Sequence, residues 1–108
     1  VAVPERTADQ RRLAAARAVA ARRVRAEVAT ALKRGERTLA DVLEQADHEQ
    51  AVGAMRVRSL LESLPRFGPL RADRTMTRLD IAPTRRIRGL GVRQRAGLLA
   101  AVGQRGHR

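Results

Sequence analysis

Leu60 to Leu99 reads LLESLPRFGPLRADRTMTRLDIAPTRRIRGLGVRQRAGLL, and its two glycine-containing turns, each leading into a helical pattern, decide the fold class. In the first, Leu64-Pro65-Arg66-Phe67-Gly68-Pro69, Gly68 is placed to cap and Pro69 to take the first helical position. Leu70, Met76 and Leu79 predict a helix of about ten residues beyond it, ended by Ile81-Ala82-Pro83. Thr84 to Ile87 is an arginine-dense connector, and the second turn, Arg88-Gly89-Leu90-Gly91, opens a last helix from Val92 to about Val102. Helix starts leave N–H groups unpaired and carry partial positive charge, so two of them beside arginines suit paired phosphates.

Upstream, Thr7 and Gln10 have capping-box spacing, and Ala-rich sequence runs from there to Arg34, where Gly35 supplies a stop. Residues 1–6 read as a short extended lead. Leu13, Ala16, Ala20, Val24, Val28 and Ala31 form one stripe of this helix, interrupted by Arg17, and Arg11, Arg22, Arg25 and Lys33 lie roughly opposite. So shallow an apolar side favours close packing on another helix or self-association. The basic side is either a solvated arginine face or one that tracks phosphates; the Trp, Phe or several Leu of a membrane-surface helix are missing. Thr38 and Asp41 suggest a second cap, for a short helix from Leu39 to about Ala46, and Asp47 with Gln50 offers another start. From there to Leu64 the pattern is helical, with Gly53 positioned to kink or divide it. No window alternates as a strand would.

The chain has 108 residues and a net charge of +12. Lys33 is its single lysine, so the basic charge is guanidinium, whose fork matches phosphate better than ammonium does. Residues 1–34 carry nine basic and three acidic groups, residues 35–54 one and five, and residues 55–108 thirteen and three. Two basic blocks around an acidic middle point to a polyanion touched at two places. Phe67 is the only aromatic residue, and Ala, Val and Leu supply nearly all the apolar content, so a small core that a bound ligand stabilises is expected. There is no cysteine, hence no disulfide or thiolate metal site, and no apolar run of membrane-spanning length. With no charged leader and apolar core at the start, a cytoplasmic location is expected.

Catalytic chemistry is poorly supported. His48 and His107 stand alone in sequence, Ser59 and Ser63 have no histidine nearby, and Glu36, Asp41, Glu44, Asp47 and Glu49 lack the glycine turn and alternating oxygen ligands of a calcium loop. No enzyme activity, cofactor, metal or small-molecule substrate is expected. The turns carry more. At the first, Gly68, Leu70 and Arg71 can offer backbone N–H groups to a phosphate, although a plain helix-helix turn fits the spacing equally well. Phe67 either packs over its own helix pair or acts as a wedge between bases. At the second, Arg85, Arg86, Arg88 and Arg93 crowd around Gly89 and Gly91, and guanidinium groups so close repel one another unless solvent or an anion lies between them. Ile87 and Leu90 can turn inward and leave the arginines outward.

The runs LLESLPRFG, RADRTM and LDIAPTRRIRGLGVRQRAGLL, with KRGERTLADVLEQA and the basic Ala-rich first helix, closely resemble the integration host factors of the actinobacterial type over nearly the whole chain. The resemblance implies an all-α protein with a helix-two-turns-helix module; with the elements read above, about five helices are expected, a basic N-terminal helix and a short second helix over residues 1–50, the module over 51–103, and a disordered tail over 104–108. It implies duplex DNA as partner, bound through its backbone with little sequence preference, and a nucleoid role in bending and compacting DNA and assisting phage integration. The β-armed host factor that inserts wedges into the minor groove is a different fold. The family's phosphate-binding turns fall on the stretch from Pro65 to Arg71, with Arg66, Phe67, Gly68 and Leu70 within it, and on Arg85, Arg86, Arg88, Gly89 and Gly91; the residue pattern itself adds Arg93 and, as an expected weaker second contact, Arg11, Arg22, Arg25 and Lys33 of the first helix. A monomer is compatible with the sequence.

Relatives often carry Gly or Lys followed by Val where this chain has Arg66 and Phe67, a Lys at Pro69, an apolar residue at Thr75 and a polar one at Val92. The module also resembles part of the ribosomal small-subunit head protein, which makes a structured-RNA binder the alternative. It resembles formamidopyrimidine-DNA glycosylases too, but the Pro4 nitrogen is an amide in this sequence and no stretch of it reads as the catalytic domain of those enzymes, so their activity is not expected.

Overall fold

A computed structural model of the chain describes residues 7–106, with side chains placed for 7–103; the extended lead expected over residues 1–6 lies outside the described residues. Six α-helices follow one another: α1 (Ala8–Lys33), α2 (Leu39–Ala46), α3 (Gln50–Gly53), α4 (Val57–Glu62), α5 (Pro69–Arg78) and α6 (Val92–Gly106), with a single 3-10 turn at Ile87–Gly89 before the last. No strand forms among the described residues, so the chain is all-α as expected, with the segment before Leu64 divided after Gly53. The last helix continues to Gly106, which leaves residues 104–106 of the expected tail helical and residues 107 and 108 outside the described set.

Both expected capping boxes form. Thr7 N–H donates to Gln10 Oε1 at 2.8 Å and Gln10 N–H to Thr7 Oγ1 at 3.1 Å; Thr38 N–H donates to Asp41 Oδ2 at 2.9 Å and Asp41 N–H to Thr38 Oγ1 at 3.1 Å. Each pair satisfies donors that a helix start leaves open. The bond to Thr38 N–H also holds the Asp41 carboxyl below its ordinary pKa. At the other end of α1, Gly35 adopts φ +73° while its N–H donates to Leu32 O and Glu36 N–H to Ala31 O, a Schellman closure. α5 closes in the same way, earlier than the Ile81-Ala82-Pro83 stop: Asp80 takes φ +57°, with Asp80 N–H donating to Thr77 O and Ile81 N–H to Met76 O. Asp47 is not the cap of α3. It ends α2, and Glu49 takes the position before α3 without a side-chain hydrogen bond.

One core holds the molecule together. Val28 and Leu32 of α1, Leu39, Val42 and Leu43 of α2, Val52, Met55, Val57, Leu60 and Leu61 around α3 and α4, Phe67, Met76, Ile87 and Leu98 are all buried in it. The core thus crosses residue 50 without a break, and α2 packs on α3, the 3-10 turn and α6. Arg95 of α6 fastens this contact by donating to Leu43 O at 2.8 Å and to Asp47 Oδ1 at 3.1 Å, which lowers the Asp47 pKa. Gly97 lets α6 approach the end of α5, since a Cβ there would lie 2.6 Å from Leu79 Cδ2.

α1 is only half supported. Its buried residues are Val28, Ala31 and Leu32, all in its last two turns, whereas Leu13 and Val19 are 51% and 47% exposed. The upper members of the predicted stripe, Leu13, Ala16 and Ala20, therefore face solvent. With 26 residues the helix is about 39 Å long, and its first half projects as a basic arm from a molecule whose overall extents, arm included, are 59 × 30 × 24 Å.

Candidate nucleic-acid interface

The first turn is built as a tight reversal between α4 and α5. Phe67 N–H donates to Leu64 O at 3.2 Å, Pro65 occupies the second position, and Arg66 takes the third with φ +64°. A positive φ there is the mark of a type II turn, in which glycine is the residue of choice. Arg66 occupies this position under local strain. Phe67 points inward and is 5% exposed, so the packing reading holds and its ring offers no wedge to a base. The Arg71 guanidinium lies 4.2 Å over that ring, a cation–π contact that aims Arg71 along the turn. Gly68 precedes α5 without a side-chain cap, and the first ladder bond runs from Ala72 N–H to Gly68 O, so the Gly68 and Leu70 amides sit ahead of the ladder at the exposed start of the helix. Pro65, Arg66, Gly68, Pro69 and Leu70 are exposed around it.

The second turn works differently, because its glycine amides are already engaged. Gly89 N–H donates to Arg86 O at 2.9 Å, closing the 3-10 turn, and Gly91 N–H donates to Gln94 Oε1 at 2.9 Å. Gln94 also donates from Nε2 to Asp80 O at 2.9 Å, and so caps the start of α6 despite the exposed Val92 beside it. Gly89 and Gly91 therefore shape the loop through these bonds, and the Arg88 and Arg93 side chains face outward. Ile87 is buried and Leu90 half-buried, as the inward anchors were expected to be. Arg85 folds back, donating from Nη1 to Gly89 O at 3.0 Å, and Arg86 donates from Nη1 to Ala54 O at 2.6 Å. Arg88 and Arg93 are exposed, and their side chains make no hydrogen bond or ion pair within the described residues.

What fixes this loop was not visible in the sequence. Val57 N–H donates to Arg85 O at 2.9 Å and Ile87 N–H to Met55 O at 2.9 Å, an isolated antiparallel bridge that sets Arg56 opposite Arg86. The linker between α3 and α4 thereby holds the arginine connector. Gly53 lies beneath Arg88, since a Cβ at Gly53 would meet Ala46 O at 3.1 Å and Arg88 Cβ at 3.5 Å. Val57 starts α4 at this bridge, and Leu64 just beyond its end starts the first turn, so the two turns sit at opposite ends of a six-residue helix about 9 Å long. That is comparable to a DNA groove width of about 6 to 12 Å.

Of the first-helix set, Arg11, Arg22 and Lys33 are exposed, while Arg25 is half-buried and comes close to the module, lining an open cleft with Arg56 and Arg86. Arg56 had no part in the sequence reading. Its only local signal is a charge between apolar Met55 and Val57, and its importance comes from pairing with a residue far along the chain. The acidic residues are largely committed elsewhere: Asp41 to its cap, Asp47 to Arg95, Glu49 to Gln45. No group of three or more potential metal ligands occurs among the described residues. No described helix is long and apolar enough to cross a membrane.

Known proteins resemble this chain in sequence and, for one solved structure, in fold. Residues 32–102 match the model of the S13-like H2TH domain. An integration host factor of Mycobacterium tuberculosis is 50% identical over 103 residues, which cover 95% of this chain and 98% of that protein. One from Streptomyces coelicolor is 44% identical over 106 residues, covering 98% and 99% respectively. Among solved structures, sIHF bound to an 8bp palindromic DNA superposes with a TM-score of 0.77 at 46% identity, over 79% of this chain and 96% of that one.

Proposed function

The chain belongs to the integration host factor family of actinobacterial type, built on the S13-like H2TH domain, and from that premise we propose that it binds duplex DNA by neutralising the phosphate backbone. The observation that carries this reading is the second turn: a loop held rigid by its own backbone bonds, presenting Arg86, Arg88 and Arg93 with no carboxylate paired to any of them among the described residues. The DNA bound by sIHF supports the same partner here. The first turn contributes through Arg66, Arg71 and the Gly68 and Leu70 amides, and the face of α1 bearing Arg11, Arg22, Arg25 and Lys33 adds a second contact.

Guanidinium groups on phosphates carry no base information, so the binding is largely indifferent to sequence. Contacts both on the module and along the projecting arm favour bent over straight duplex, because bending lets one stretch of DNA reach both. A nucleoid role in compacting DNA, with assistance to phage integration, follows from such binding; no catalytic step enters it.

Titration of affinity against salt tests the mechanism. With about six to eight phosphates neutralised, log K against log salt falls with a slope of about −5 to −7. A flat response overturns it. Circularly permuted duplexes test bending, and straight DNA in the complex removes that part. Folded ribosomal-type RNA that outcompetes duplex at equal salt would move the function to RNA.

A further inference from the structure

The cleft beside the second turn is a site in its own right. Arg25, Ala26 and Ala29 of α1 form one wall, Arg56, Ser59 and Ser63 along α4 form the other, and Ala54, Met55 and Arg86 complete it, around a space of about 490 Å³. Both outer bonds of the bridge flank Arg56 and Arg86, which makes them a non-hydrogen-bonded antiparallel pair, the arrangement that brings opposed side chains closest. Like charges in that position destabilise a pair. Arg25 adds a third guanidinium from α1, and no acidic residue lines the space. Neither the Arg25 nor the Arg56 side chain has an ion-pair or hydrogen-bond partner within the described residues, and the Arg86 side chain is held there only by the neutral Ala54 carbonyl. Three positive groups around small side chains form a seat for a tetrahedral oxyanion whose neighbouring atoms must come close to the wall. Alanines and serines permit that approach, and the exposed Ser59 hydroxyl is an added donor.

We propose that this cleft seats a phosphodiester of the nucleic-acid backbone, with Arg25 and Arg56 as binding residues beside Arg86. The cleft follows α4 from the bridge toward the first turn, so it joins the two turns and α1 into one continuous track. This rests on the duplex-binding reading above, and its test separates the two.

The chain lacks cysteine, so Ser59→Cys gives the full protein a single thiol inside the cleft, and Ala40→Cys gives one on exposed α2. Maleimide alkylation is followed with a saturating short duplex, whose binding is read by anisotropy in the same sample, and separately with pyrophosphate alone. Duplex should slow alkylation at Ser59→Cys tenfold or more and leave Ala40→Cys unchanged. In parallel, the Arg25→Gln, Arg56→Gln double variant should lower the magnitude of the salt slope by about 1 to 2, whereas Arg34→Gln should lower it by much less. Bound duplex with Ser59→Cys alkylated at its free rate overturns the proposal, as does an unchanged slope in the double variant with normal circular dichroism. Protection by millimolar pyrophosphate but not by bound duplex overturns it in favour of a free phosphate ligand. A chain that binds no duplex at all removes the function reading itself, and the cleft assignment with it.

Discussion

The two turns of the module look alike in sequence and solve opposite problems. The first is a strained reversal that leaves helix-start amides outward and draws its aromatic ring into the core. The second is bonded to itself and to the α3–α4 linker, so the amides of Ile87, Gly89, Leu90 and Gly91 are engaged and the Arg88 and Arg93 side chains face outward. A glycine beside arginines does not by itself say which groups meet a phosphate. The hydrogen bonds made by neighbouring residues decide it: Gln94 takes the amide of Gly91, whereas nothing comparable caps α5.

Substitutions that separate fold from binding can break this contrast. The largest effect is expected at Phe67→Ala, which empties a buried aromatic site and should cost about 3 to 5 kcal/mol of stability in chemical denaturation. Unchanged stability with lost DNA binding would instead make Phe67 a contact residue. Replacing Arg85, Arg86 and Arg88 together by Gln should weaken duplex binding by about a hundredfold at physiological salt, equally on all sequences; a loss confined to particular sequences would contradict backbone readout. Arg66→Gly should move two quantities in opposite directions. It relieves a left-handed residue, raising stability by about 1 kcal/mol, and it removes a charge, lowering the salt-slope magnitude by about 0.9. A loss of stability would overturn the strained turn.

The smallest expected effect concerns acid. Asp41 and Asp47 both have pKa values lowered in the folded state, Asp41 by its backbone bond with Thr38 and Asp47 by its hydrogen bond from Arg95. Their contributions to stability are complete above the ordinary aspartate pKa and disappear as pH falls through the lower folded values. Asp47→Asn should therefore reduce Tm slightly at neutral pH and flatten its decline in acid, with DNA binding unchanged. An equal acid limb in the variant would show that the Arg95 tether adds nothing.

Much of this architecture was legible because it is local. Thr7 with Gln10, Thr38 with Asp41, Gly35 after Arg34 and Gly68 before Pro69 each act within a few residues, and each does what its spacing implies. Asp47 misled because its carboxylate has a stronger use, the guanidinium of Arg95, 48 residues away. The alanine stripe of α1 was legible as a stripe but not as exposed, since alanine pattern alone does not tell a buried seam from a solvated one. At the site, the outward Arg88 and Arg93 and the inward Ile87 follow from composition of the loop. Arg56 and the loss of the Gly91 amide do not, because both arise from bonds made only once the chain has folded.

The projecting half of α1 has a consequence in time rather than in space. Amides from about residue 12 to residue 22 belong to turns with no tertiary support, so they open locally and should exchange hydrogen far faster than those around Val28 and Leu32, whose release requires undoing the core. The capping box at Thr7 slows fraying at the tip but anchors it to nothing. A single continuous helix thus contains two exchange regimes, and the boundary between them near Val24 marks where the body of the protein ends.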